Sequence, residues 1–264
     1  MTPTKPIINA ILIIASLISL PLPSLAELDK PNNANSDPIG IRFVLANPPL
    51  PDNGTPQTNR GTGTRGDCIY KAESPPLTHL AGEKNFELTV SEHPTFWVYV
   101  PYTSAEVPSG EFSLQDGDED VYRTRFQLPA KAGVVGISLP STNKSLEVGK
   151  TYRWYFEINC PSSDSTNQKT PDSVTGIVKR VSPSIQLAEE LKTAKTPLER
   201  IAAYTKHSIW YETLTELAQL RLKEPENPTI NKLWVDLLTD ENIGLNSIAP
   251  QPIAGSVTTN SPPK

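Results

Sequence analysis

The sequence predicts a mainly β protein: an antiparallel β-sandwich followed by a C-terminal α-helical region. Three observations carry that expectation. Between about Cys68 and Val181, apolar and polar residues alternate with the period of strands, in short runs separated by turn residues. After Pro183 the apolar spacing becomes helical, with Ser, Thr, Asn and Pro at the start positions. Cys68 opens the β region and Cys160 lies within it, and an even cysteine count in an exported chain favours one disulfide.

Export is itself read from residues 1–26. Lys5 supplies a positive start, Ile7 to Leu22 is an apolar run, and Ser24-Leu25-Ala26 places small residues where a signal peptidase reads. The run is short for a spanning helix, which needs about 20 apolar residues. Cleavage after Ala26 is expected, with an uncleaved anchor as the alternative, and no span is expected after cleavage. The mature chain is then periplasmic or extracellular. Its net charge would be −6 after loss of Lys5, against −5 for the whole chain. Without a basic stripe, that acidity excludes nucleic acid as the main partner. Residues 27–66 are rich in Pro, Asn, Gly and Thr and read as a disordered linker. Only Ile41 to Leu45 could make a short strand there.

The β-sandwich domain is expected over 67–182. Its runs are Phe86–Ser91, Thr95–Val100, Glu111–Gln115, the stretch containing Tyr122, Thr124, Phe126 and Leu128, Val134–Leu139, Tyr152–Cys160 and Ser173–Val181. Tyr152, Trp154, Phe156, Ile158 and Cys160 share one face, which puts the disulfide at the sandwich interior and staples the first strand to it. The string Leu146-x-x-Gly149-x-x-Tyr152-x-Trp154 resembles a late strand of fibronectin-type or immunoglobulin-like modules. Thr95–Val100 departs from alternation, because Trp97 and Tyr99 make its second face aromatic. Such a strand is covered on both sides or exposes a binding surface.

The helical cap is expected over 183–248. Ser182 with Pro183 opens a first helix to about Thr193, and Thr196 with Pro197 a second to about His207. Ile209 to Lys223 is a third, ended by Pro225. Asn227 with Pro228 opens a fourth, with Gly244 past its end. Ile201, Tyr204, Trp210, Thr213, Leu217, Leu220 and Pro225 resemble one tetratricopeptide hairpin, although Thr213 replaces the usual alanine. One unit cannot bury its faces alone, so it should dock on the face carrying Trp97 and Tyr99. The tail from 249 to 264 reads as disordered.

Arg60-Gly61-x-Gly63-x-Arg65-Gly66-x-Cys68 and Leu88-Thr89-Val90-Ser91-Glu92-x-Pro94-Thr95-Phe96-Trp97-x-Tyr99-Val100-Pro101-Tyr102 resemble the cyanobacterial "domain of unknown function 928" proteins. So do Leu114-Gln115-Asp116, Val121-Tyr122-Arg123, Leu146-x-x-Gly149-x-x-Tyr152-Arg153-Trp154 and Ile209-Trp210-Tyr211. The resemblance covers nearly the whole mature chain. It implies an exported cyanobacterial protein and promises no activity. His93 stands where the family pattern usually has Arg, which argues against a shared role for it.

No constellation points to catalysis. His79, His93 and His207 lie apart and lack metal-ligand spacing. There is no nucleophile elbow and no phosphate loop, nor a C-x-x-C. No cofactor and no metal are expected. Asp116, Asp118 and Asp120 alternate as in a calcium loop, but Val121 and Gln127 stand where that loop needs Gly and Glu. An acidic hairpin turn or a calcium-binding loop remain the two readings. Arg65, with Arg60, either anchors the linker or offers a small anion site. Trp97, Tyr99 and Tyr102 are either contacts for a partner or cement between sandwich and helices. The chain is therefore expected to be a non-catalytic interaction or ligand-display protein whose partner is a protein. The alternatives are an accessory protein with a small ligand between sandwich and cap, and a cell-wall or polysaccharide hydrolase.

Overall fold

A computed structural model describes residues 68, 71–81, 88–160 and 172–259. The expected signal (1–26), the linker (27–66) and Arg60 and Arg65 lie outside the described residues. All described residues fall within one compact unit, Ile41–Lys264.

The strands are β1 (Thr78–His79), β2 (Leu88–Thr89), β3 (Thr95–Val100), β4 (Ser109–Asp116), β5 (Glu119–Gln127), β6 (Gly133–Ser138), β7 (Thr151–Asn159), β8 (Asp172–Arg180), β9 (Ile253–Ser256) and β10 (Thr258–Thr259). The helices are α1 (Ile185–Thr193), α2 (Pro197–Lys206), α3 (Trp210–Lys223) and α4 (Pro228–Thr239). The protein is thus mainly β, with four helices between β8 and β9. Among the described residues none of these helices is long and apolar enough to cross a membrane.

Two sheets form, with orders β1-β3-β6-β9 and β10-β5-β4-β7-β8-β2. Most pairings are antiparallel, but β2 runs parallel to β8 and β6 parallel to β9. The wholly antiparallel expectation is corrected at these two edges, where the partner strand arrives from a distant part of the chain. In β7 the residues from Tyr152 to Ile158 alternate between buried and accessible, so the two-residue period sets which face turns inward. At the β4–β5 turn Gly117 adopts φ 62°, a conformation that costs glycine little.

The sheets meet through aromatic rings. Phe96 of β3 lies 4.9 Å from Phe112 and 5.5 Å from Trp154, centroid to centroid. Behind Trp154 the chain must be glycine: a Cβ on Gly176 would stand 2.5 Å from the indole.

Cys68 and Cys160 form the expected disulfide, with Cα atoms 5.1 Å apart. Cys68 lies in a bend rather than a strand, so the bond ties the segment before β1 to the end of β7. A disulfide is compatible with an oxidising, exported location.

The helix starts follow local capping chemistry. Thr196 accepts a hydrogen bond from Glu199 N while the Glu199 side chain returns to Thr196 N, a reciprocal box ahead of Pro197. Asn227 accepts from Thr229 N and Ile230 N ahead of Pro228. The first helix starts later than Ser182 suggests, because Ser184 caps it by accepting from Leu187 N at 3.1 Å.

The tail differs most from expectation. Residues 253–256 and 258–259 are strands, one pair in each sheet, and Ile248 and Ala249 are buried. Prolines at 250 and 252 suggested disorder by composition. However, Pro252 O accepts from Val134 N at 2.8 Å, and Val257 N donates to Gly136 O at 3.0 Å. The stretch between them, Ile253-Ala254-Gly255-Ser256, is too brief to show a period.

Below the disulfide, Glu106 holds Lys71 Nζ at 2.6 Å and accepts from Thr103 N at 2.8 Å. The Lys71 ammonium, then the Thr103 backbone N–H, pull its carboxyl down to about 2. A carboxyl depressed in the folded state stabilises it above the unfolded value near 4.5 and loses that effect as pH falls toward about 2. Because the side chain is about a third exposed, solvent screening keeps the gain to about 1 kcal/mol or less. Glu106→Gln should be slightly less stable than wild type at pH 7 and equal to it near about pH 2, as urea denaturation at both values would register. A constant difference across that range would remove the assignment.

Candidate functional site

Helix α3 is the element on which both sheets converge. Trp210 Nε1 donates to Leu80 O at 2.9 Å, and Tyr211 Oη donates to Ile177 O at 2.7 Å while accepting from Trp154 Nε1 at 3.0 Å. One helical turn on, Trp97 Nε1 donates to Thr215 Oγ1 at 3.0 Å. Each indole or phenol therefore buries its ring and satisfies its polar end. Strand β3 is covered on both faces: Phe96 meets the opposite sheet, and Trp97 meets α3.

Trp97, Tyr99 and Tyr102 are 4%, 3% and 7% exposed, so their rings are buried within this chain. For Trp97 the cover is α3, through the bond to Thr215. Arg65 lies outside the described residues. The acidic turn is stitched by cations: Asp116 pairs with Lys150 at 2.9 Å and Asp120 with Arg123 at 2.7 Å. Among the described residues no group of three or more His, Cys, Asp or Glu is placed to hold a metal ion. The histidines are dispersed, with His79 edge-on to Trp154 and His93 Nε2 3.1 Å from Asn143 O.

A small hollow of about 240 Å³ adjoins the acidic turn, and larger ones lie along α2 and α3. A hollow of about 430 Å³ is lined by Lys195, Pro197, Arg200, Glu216, Gln219 and Lys223 among others. A second, of about 370 Å³, lies between the β2–β3 corner (Val90 to Thr95) and Tyr204, Tyr211, Glu212 and Thr215. The two share Arg200, Glu216 and Gln219 and so adjoin as one groove. Arg200 Nε bridges both Glu216 oxygens, at 2.9 and 3.1 Å, between the two hollows. The guanidinium also lies 6.0 Å from the Tyr204 ring centroid.

Glu212 stands at the β-side end. Its Oε1 accepts from Thr89 Oγ1 at 2.5 Å and from Ser91 N at 2.9 Å, which fastens α3 to the β2–β3 corner. Its Oε2 is buried and makes no hydrogen bond of normal geometry. Burial pushes this carboxyl up, against the Thr89 hydroxyl and nearby backbone N–H groups, which favour its charged form. Glu212 was missed by sequence reasoning, although a signal existed. Glu212, Glu216, Gln219 and Lys223 recur every three or four residues, a polar stripe on a helix whose other side is apolar.

The family described as Domain of Unknown Function (DUF928) matches residues 60–253. The chain belongs to that family. The DUF928 match spans β1 to β8, all four helices and the first residue of β9, so strands and helices are matched together. No curated protein and no solved structure matches the chain.

Proposed function

We propose that this DUF928 protein is an exported, non-catalytic binding protein that holds an extended segment of a partner protein in the α2–α3 groove. In this reading a disulfide-stapled, immunoglobulin-like sandwich (67–182) presents a helical cap (183–248) whose α2 and α3 form a tetratricopeptide-like hairpin. The mature chain works in the periplasm or outside the cell, and residues 1–26 are its signal.

The carrying observation is the groove itself. It follows α3 from Glu212 to Lys223, about 16 Å at a rise of 1.5 Å per residue. An extended chain covers about 3.3 Å per residue, so the groove accommodates about five residues. Its lining is mostly polar, and its centre is occupied by an ion pair rather than an opposed pair of free carboxyls. The Asp116–Asp120 turn, where a hydrolase would need two buried acids across a cleft, instead carries accessible carboxylates paired to Lys150 and Arg123.

The test is a photo-crosslinking residue at position 219, where Gln219 is exposed on the groove, against the same residue at exposed Val148 in the β6–β7 connection. A discrete protein adduct from position 219 and none from 148 is expected in periplasmic extract of the source cells. Equal adducts from both positions, or none from 219, would overturn the groove.

A further inference from the structure

We infer that the groove reads charge in register: it selects a partner segment with a basic residue at the Glu212 end and an acidic residue four or five positions away at the Lys195–Lys223 end. The inference rests on the groove reading above and specifies what occupies it.

The charge inventory of the two hollows differs in sign. In the β-side hollow the ionisable groups are His93, Arg200, Tyr204, Tyr211, Glu212 and Glu216. Arg200 and Glu216 neutralise each other. That leaves the Glu212 carboxyl, whose buried Oε2 lacks a hydrogen bond. A cation with N–H donors suits such a place, since it supplies the missing bond. In the other hollow Lys195, Arg200 and Lys223 face Glu216 alone, so the balance is positive.

Opposite signs at the two ends of a groove set both register and direction of a bound chain. From Glu212 to Lys223 the helix rises about 16 Å, which an extended segment covers in four to five residues. A like-charged or reversed segment places one charge against its own sign, which is the discrimination such a groove provides.

A phage-displayed library of random nine-residue peptides, selected on the full chain, tests this. Recovered peptides should share one Lys or Arg and one Asp or Glu four or five positions apart. Replacing that basic residue by norleucine in a synthetic peptide should weaken its binding to wild-type protein at least tenfold, with the loss shrinking as salt is raised. This arm needs no protein variant, so it stands even if Glu212→Gln loosens the α3 attachment. Where Glu212→Gln folds, it should reproduce the loss for the parent peptide and not for the norleucine peptide. Binders without the charge pair, or an unchanged affinity for the norleucine peptide, overturn the register while leaving the groove. Failure to recover any peptide overturns the groove and the register together.

Discussion

Replacing Cys68 and Cys160 together by serine should lower stability by about 4–5 kcal/mol. The bond closes a loop between residues 92 apart in sequence. A crosslink removes conformations mainly from the unfolded chain, and the chain-entropy estimate for a loop of that length is about 4.7 kcal/mol at most. Local packing loss should add little, since serine is close to cysteine in size. Guanidinium denaturation of oxidised wild type, wild type in dithiothreitol and the double variant is the measurement. The last two should agree, both far below the first. A loss under about 1 kcal/mol would mean the unfolded chain is already constrained without the bond.

Trp154→Ala should cost about 3–5 kcal/mol, at the upper end for a core substitution. The indole is almost wholly buried between Phe96, Phe112 and His79, and its Nε1 donates to Tyr211 Oη. The change therefore removes a ring from the joint between sheets and also deprives α3 of one tether. Gly176→Ala provides the complementary test. Its new Cβ would fall 2.5 Å from the Trp154 ring, and overpacking of this kind costs about 1–3 kcal/mol. In the Trp154→Ala background the ring is gone, so the same substitution should cost little. The two changes should be strongly non-additive in thermal or chemical denaturation. Simple addition would show that the close approach of Gly176 to the indole has no energetic weight.

The body of the fold was legible where one periodicity runs long enough to be read. Strands β3 to β8 and the four helices follow alternation or helical spacing, and Thr196-Pro197 and Asn227-Pro228 mark helix starts as their capping chemistry dictates. Three things escaped. Strands β1, β9 and β10 span two to four residues, which is less than a pattern needs. The parallel pairings of β2 and β9 depend on where distant segments meet, and local sequence carries no such information. The groove escaped because its lining comes from two helices and a strand corner, and attention fell on the more conspicuous aromatics Trp97, Tyr99 and Tyr102. Those residues announce burial as readily as recognition, and all three side chains are buried.

The crossing of residues 253–259 from one sheet to the other bears on how the protein reaches its native state. β9 completes the pairing of β6, and β10 that of β5, both with strands made far earlier in the chain. Neither sheet reaches its final width until this late segment has been synthesised. Distant pairings of this kind slow refolding toward the millisecond-to-second range. They also make the last stretch of chain a shared border, so cutting before Ile253 would remove an edge strand from each sheet at one stroke.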